Sequence, residues 1–116
     1  MEFKDNNPIY MQIANDIKEQ IICGKLIDGD KLKSVREYSV FYEVTTLTIH
    51  RAMQLLEADE IVKTKKGVGS FIVSGVQSAL GSKMVKAQVK EFIHGMGNMG
   101  ISEEDILKLV REGFGK

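Results

Sequence analysis

Thr45-Thr-Leu-Thr-Ile-His-Arg-Ala-Met-Gln-Leu-Leu-Glu-Ala-Asp59, followed by Ile61-Val-Lys-Thr-Lys-Lys-Gly-Val-Gly-Ser-Phe-Ile-Val73, is the stretch on which the fold turns. In the first segment Ile49, Ala52, Met53 and Leu56 follow the i, i+3, i+4, i+7 spacing of a buried helical stripe. The opposite face carries Thr46, Leu47, His50, Arg51 and Gln54, groups that donate or accept hydrogen bonds or touch a methyl group. The second segment has apolar ends and a Lys-Lys-Gly-x-Gly tip, which predicts a hairpin. A polar-faced helix followed by a basic, glycine-tipped hairpin predicts a winged helix-turn-helix. In that fold the helix enters a major groove of DNA and the hairpin tip lies along the backbone.

The segments before it supply the support. Asn7 is expected to cap a first helix with Pro8 at its first position. Ile9, Ile13, Ile17 and Ile21 recur every four residues up to a stop at Gly24, with Tyr10 and Ala14 beside them. Cys23, at the end of this helix, is read as a packing residue, since no partner cysteine or paired histidine exists. Asp28-Gly29 reads as a turn, and Asp30–Lys33 as a short third strand beside the wing. Ser34 and Glu37 have capping-box spacing and open a helix to Tyr42 that turns Val35, Tyr38 and Tyr42 inward. Arg36 stands in its first turn, where the helix dipole disfavours a cation, and an arriving phosphate would explain it. Glu43-Val44 makes the turn into the reading helix, with Thr45 as its N-cap. Two helices joined so tightly, the second polar on one face, form a helix-turn-helix.

After Ser74-Gly75, residues 76–94 read as a helix and 95–100 as a loop. Ser102 then opens a second, acid-led helix to Gly113. Leu80, Met84, Ala87, Phe92, Ile106, Leu107, Leu109 and Val110 are too many apolar side chains for a two-helix hairpin to bury alone. The expectation is a DNA-binding domain over 1–75 and a helical dimerisation tail over 76–116 that uses these residues. Such a tail is also expected to enclose no small-molecule pocket, because two helices cannot wall one in.

Composition bounds the rest. The 116 residues suit one domain with an appendage. There is no apolar run long enough to span a membrane, and Met-Glu-Phe-Lys-Asp lacks a signal-peptide core. A single cysteine fits a reducing interior, so a cytoplasmic location is expected. Net charge is zero, yet residues 61–73 hold three lysines and no acid, so the wing is the basic part. Residues 95–100 fit G-x-G-x-x-G literally. They follow a helix rather than a strand, and the chain ends sixteen residues later, so a dinucleotide site is set aside. His50 and His94 fall in different modules, and no metal-ligand spacing or catalytic constellation stands out. No enzyme activity, metal or cofactor is implied, and whether an effector exists is left open.

Five ordered motifs carry a family resemblance: Pro8-Ile-Tyr-x-Gln-Ile13, Gly24-x-Leu-x-x-Gly29-Asp-x-Leu32, Ser34-Val-Arg-Glu37, Thr48-Ile-x-Arg-Ala52 and Gly67-x-Gly-Ser-Phe71. Together they resemble the GntR family of bacterial transcription regulators, and the short two-helix tail is similar to its YtrA-type subfamily. The resemblance implies a DNA-binding regulator without a large effector domain. It implies dimerisation through the tail and, often, repression of transporter operons. By position it implies DNA contacts at Arg36, at Thr45, Thr46, Leu47 and Thr48, at His50 and Arg51, and at Lys66 and Gly67. Ser34, Lys65 and Gly69 complete the expected surface. Thr45, Thr48, Arg51 and the lysines are expected to hold phosphate, and Thr46, Leu47 and His50 to lie nearer base edges, Leu47 against a thymine methyl. The chain departs from the family pattern in three places. Lys33 replaces a usual proline, Glu43 a frequent glycine, and Thr46-Leu47 a common Pro-Asn, which alters the reading face. A winged helix that binds proteins instead of DNA is the alternative from another class.

Overall fold

The computed structural model describes residues 1–115. In chain order the elements are α1 (Ile9–Ile22), α2 (Val35–Tyr42), α3 (Thr46–Ala58), β1 (Val62–Lys65), β2 (Gly69–Ile72), α4 (Val76–Asn98) and α5 (Glu103–Gly113). Contacts divide them into two units, Met1–Leu80 and Gly81–Lys116.

The first unit is the winged helix-turn-helix. Its core is built from the periodic residues: Ile13, Ala14, Ile17 and Ile21 of α1, Tyr38 and Tyr42 of α2, and Ile49, Ala52 and Leu56 of α3. Ile61, Val62 and Ile72 close it from the wing, and Leu32 from the segment before α2. Each fully buried aliphatic side chain contributes about 1.5–3 kcal/mol relative to exposure. Truncating one, Ile17→Ala for example, costs about 2–5 kcal/mol. β1 and β2 pair antiparallel with Val62 opposite Ile72 and Lys65 opposite Gly69. The third strand expected over Asp30–Lys33 is reduced to a single bridge, Lys31 with Phe71. Leu32 still donates to the Ser70 carbonyl at 2.9 Å and Ile72 to Asp30 at 3.0 Å. The first turn of α4 belongs to this unit, where Val76 and Leu80 pack against the core.

Three local expectations are corrected. Pro8, not Asn7, is the N-cap of α1, and no side chain caps it. The Asn7 carbonyl instead accepts from the Gln12 side chain at 2.8 Å. Ile9 and Cys23, at the two ends of α1, are exposed, because the buried stripe starts at Ile13 and the chain turns away at Gly24. Residues 95–98 are helical rather than a loop. The stop comes at Gly100, with φ 76. Ile101 donates back to the Met96 carbonyl and Gly100 to Gly97, the paired bonds of a Schellman ending. Gly95 and Gly97 weaken the helix interior, yet each still gives it a backbone donor and acceptor.

In the second unit Ser102 caps α5 by accepting from the Asp105 amide at 3.2 Å. Ile106 is its buried side chain, whereas Val85, Val89, Phe92, Ile93, Leu107, Leu109, Val110 and Phe114 are exposed. Met84 is half-buried and Ala87 exposed. A depression of about 400 Å³ is lined by Glu104, Leu107, Lys108, Arg111 and Glu112. All five come from α5, so a ligand there would lie on one open helix face.

Candidate nucleic-acid interface

Two capped helix starts place the polar groups. The Ser34 hydroxyl accepts from the Glu37 amide at 3.1 Å, and the Glu37 carboxylate accepts from the Ser34 amide at 3.0 Å. That backbone bond, then the Ser34 hydroxyl, holds the Glu37 carboxyl below its ordinary range, with smaller help from Lys33 and Lys31. Thr45 caps α3 by accepting from the Thr48 amide at 3.3 Å, and its hydroxyl lies 3.1 Å from that of Thr48. Between the helices Glu43 adopts φ 57, the left-handed conformation that turns α2 into α3. Tyr42 braces this corner against α1, donating to the Asp16 carboxylate at 2.7 Å. Burial first, and that bond second, push its phenol far above the usual range.

With the corner braced, α3 presents the side chains expected to read DNA. Thr46, Leu47, His50 and Arg51 are exposed, Leu47 at 61%, while Thr48 is half-buried. Thr45, Ser34 and Arg36 are exposed at their helix starts. Lys65, Lys66 and Gly67 are exposed at the wing tip and Gly69 is half-buried. Gly67 has φ 78, which lets Val68 donate to the Lys65 carbonyl at 3.0 Å and close the turn. A Cβ on Gly69 would come within 2.7 Å of Lys31 Cε, so the Lys31 side chain crosses the wing there.

Ser34, His50, Lys65, Gly67 and Gly69 share one groove of about 500 Å³ between α3 and the wing. Arg36 lines a second groove, along α2, with Ser34. Thr45, Thr46, Leu47, Thr48, Arg51 and Lys66 line neither groove. The first groove also holds Lys31 and Lys33, which motif reasoning passed over. The signal at Lys31 was only its charge, and at Lys33 its charge together with its place where the family pattern usually has proline. Glu57 is the groove's other carboxylate besides Glu37, and it accepts a hydrogen bond from the Thr64 hydroxyl.

Comparison with known proteins agrees with this geometry. The pattern of the bacterial regulatory proteins of the gntR family matches residues 9–72. The chain is 32% identical to the HTH-type transcriptional regulator YhcF of Bacillus subtilis over 112 residues, covering 95% of this chain and 93% of that one. It is 30% identical to the HTH-type transcriptional repressor YtrA of the same organism, covering 94% and 86%. A solved GntR family transcriptional regulator from Listeria monocytogenes superposes with a TM-score of 0.89 at 37% identity, covering 95% and 98%. These relatives are transcription regulators, not enzymes. From motifs, fold and relatives together, the chain belongs to the GntR family of bacterial transcription regulators, and within it to the YtrA type.

Proposed function

We propose that this DNA-binding regulator acts as a homodimer on an inverted-repeat operator and represses transcription from it. The observation that carries the reading is the exposed, partly apolar reading face of α3, Leu47 and His50 included, beside a glycine-turned, lysine-bearing wing. In this reading Arg36, Thr45, Thr48, Arg51, Lys65 and Lys66 take phosphates, and Thr46, Leu47 and His50 face base edges. Ser34, Gly67 and Gly69 shape the backbone that approaches the DNA.

The exposed apolar side chains of the second unit support the dimer, since a contiguous patch of that kind marks an interface. The dimerising tail then comprises α4 beyond its first turn together with α5. Leu80, half-buried on the winged-helix core, has less apolar surface to offer it than Phe92, Leu107, Leu109 or Val110. Repression is supported by similarity, over nearly the whole chain, to a relative named as a repressor. The setting we propose is the cytoplasm. No described helix is long and apolar enough to cross a membrane.

Selection of bound sequences from a random duplex library tests the reading. The expected product is an inverted repeat whose half-sites are separated by about one helical turn, or a multiple of it. Enrichment of a single unrepeated site would overturn the dimeric operator. Absence of any salt-sensitive DNA binding would instead favour the protein-interaction alternative.

A further inference from the structure

Lys33 stands where the two grooves of the winged-helix unit meet. One groove runs between α3 and the wing, past His50 and Lys65. The other, about 520 Å³, runs along α2 past Arg36, Val40 and Phe41. Lys33, Ser34 and Glu37 line both. Ser34 and Glu37 are closed on each other in the capping box, so their polar atoms are already engaged. The Lys33 ammonium forms no salt bridge among the described residues, though its charge helps hold the Glu37 carboxyl low.

What Lys33 does have is an aromatic neighbour. Its Nζ lies 5.5 Å from the centre of the Phe41 ring. Phe41 is 57% exposed, an unusual place for so large an apolar group, and it makes no contribution to the buried core. Its ring is steadied edge-on by the buried Tyr42, with centroids 4.8 Å apart and planes at 87°. Tyr42 therefore steadies Phe41, and the negative face of Phe41 attracts the Lys33 ammonium. A lysine confined in this way gives up less freedom when it meets an anion than one waving in solvent.

We propose that Lys33 is a further contact to the DNA backbone, on a phosphate close to that taken by Arg36, and that Phe41 is its positioning residue. The proposal rests on the reading that α3 and Arg36 face duplex DNA. Lys33 joins the reading-helix groove to the Arg36 groove, so lysine or arginine lines both, with the carboxylates Glu37 and Glu57 among them. Phosphate is the fitting ligand, because Lys33 and Arg36 bring two cations to one groove against its single carboxylate, Glu37.

The test is a salt titration of the intact protein against a fluorescein-labelled random-sequence duplex, read by anisotropy, for the wild type and the variants K33Q, K33R, F41L and R36Q. K33Q should lower the magnitude of the salt slope by about 0.9 per protomer, the loss of one neutralised phosphate, and K33R should keep it. F41L should keep the slope, since the charge remains, but weaken binding by roughly two- to five-fold at fixed salt. An unchanged slope in K33Q beside a reduced slope in R36Q overturns this proposal alone. Unchanged slopes in both overturn the reading beneath it. A reduced slope in K33Q with F41L binding as tightly as wild type overturns the positioning role of Phe41. Thermal melting of each variant, expected near the wild-type temperature for these exposed sites, shows that the loss is one of contact and not of fold.

Discussion

Leu47 is a large apolar side chain left in water on a face otherwise made of hydroxyls, an imidazole, a guanidinium and a carboxamide. A thymine methyl would remove it from water, and His50, one turn on, can donate to or accept from a base edge. Leu47→Ala or His50→Ala should therefore change which bases are preferred, at a cost of about 1–3 kcal/mol on a cognate position. Competition between cognate and random duplex measures this, and equal losses on both for both variants would remove these residues from base reading. Glu43 makes a different point at the same scale. Its φ of 57 is strained for any residue with a Cβ, and its side chain is exposed. Glu43→Gly relieves the strain while adding freedom to the unfolded chain, for a net gain of about 0.5–1 kcal/mol. A lower denaturation midpoint would mean that the carboxylate makes a contact worth more than the strain.

The wing shows how an element acts as a unit. Its strands are four residues each, too short to stand alone, and they hold because Val62 and Ile72 reach the helical core. The tip is then free to carry charge. Lys65 lies with its Nζ 5.0 Å from the Phe71 ring, and Lys66 is exposed at the turn. Replacing both with Ala should lower the magnitude of the salt slope by about one to two units per protomer and weaken all sequences alike. A slope that does not move would place the wing outside the interface. The capping box of α2 adds a pH dependence of known sign. The Glu37 carboxyl is depressed by its bonds to Ser34, so its contribution is present above the ordinary carboxylate range and is lost as pH falls through the depressed value. Glu37→Gln should flatten that acid limb in a stability-versus-pH series, and an identical acid limb would show the cap to be irrelevant there.

On the scale of the whole molecule the question is what covers the second unit. Val85, Val89, Phe92 and Ile93 recur at helical spacing on α4, and Leu107 and Val110 on α5 with Phe114 just past its end, all exposed. In the proposed dimer a second copy would cover both stripes about a two-fold axis and join two reading helices in one molecule. Each half-site then binds with the other as an intramolecular step, so loss of one half-site should cost far more than half of the binding free energy. A charge placed in the stripe, V89E or I93E, should give a monomer by sedimentation and weak operator binding. A chain cut after Gly81, which keeps Val76 and Leu80 on the core, should behave the same way. If the cut chain still sediments as a dimer, or binds as tightly as the intact one, dimerisation lies elsewhere.

Periodicity, caps and turn chemistry are local, and what they imply could be read from residues in order. The stripes Ile13–Ile17–Ile21 and Ile49–Ala52–Leu56, the Ser34–Glu37 box, the Thr45 cap and the Lys66-Gly67 tip all appear in the structure where their spacing put them. In the tail the sequence picked out Phe92, Leu107, Leu109 and Val110, which are exposed, together with Leu80 and Ile106, which pack within the chain, and it passed over Val85, Val89, Ile93 and Phe114. Other features are set by geometry that residue spacing does not show. Gly95 and Gly97 look like a loop from propensity alone, yet a helix continues through them, because its ending is set by the bonds made around Gly100. Cys23 looked like a packing residue until the turn at Gly24 left it in solvent. Lys33 and Phe41, eight residues apart, mean nothing as a pair in the chain. The winding of α2, with Phe41 edge-on to Tyr42, brings ring and ammonium to 5.5 Å and lays Lys33 between two grooves, since a cation–π contact is fixed by distance in space and not by distance along the sequence.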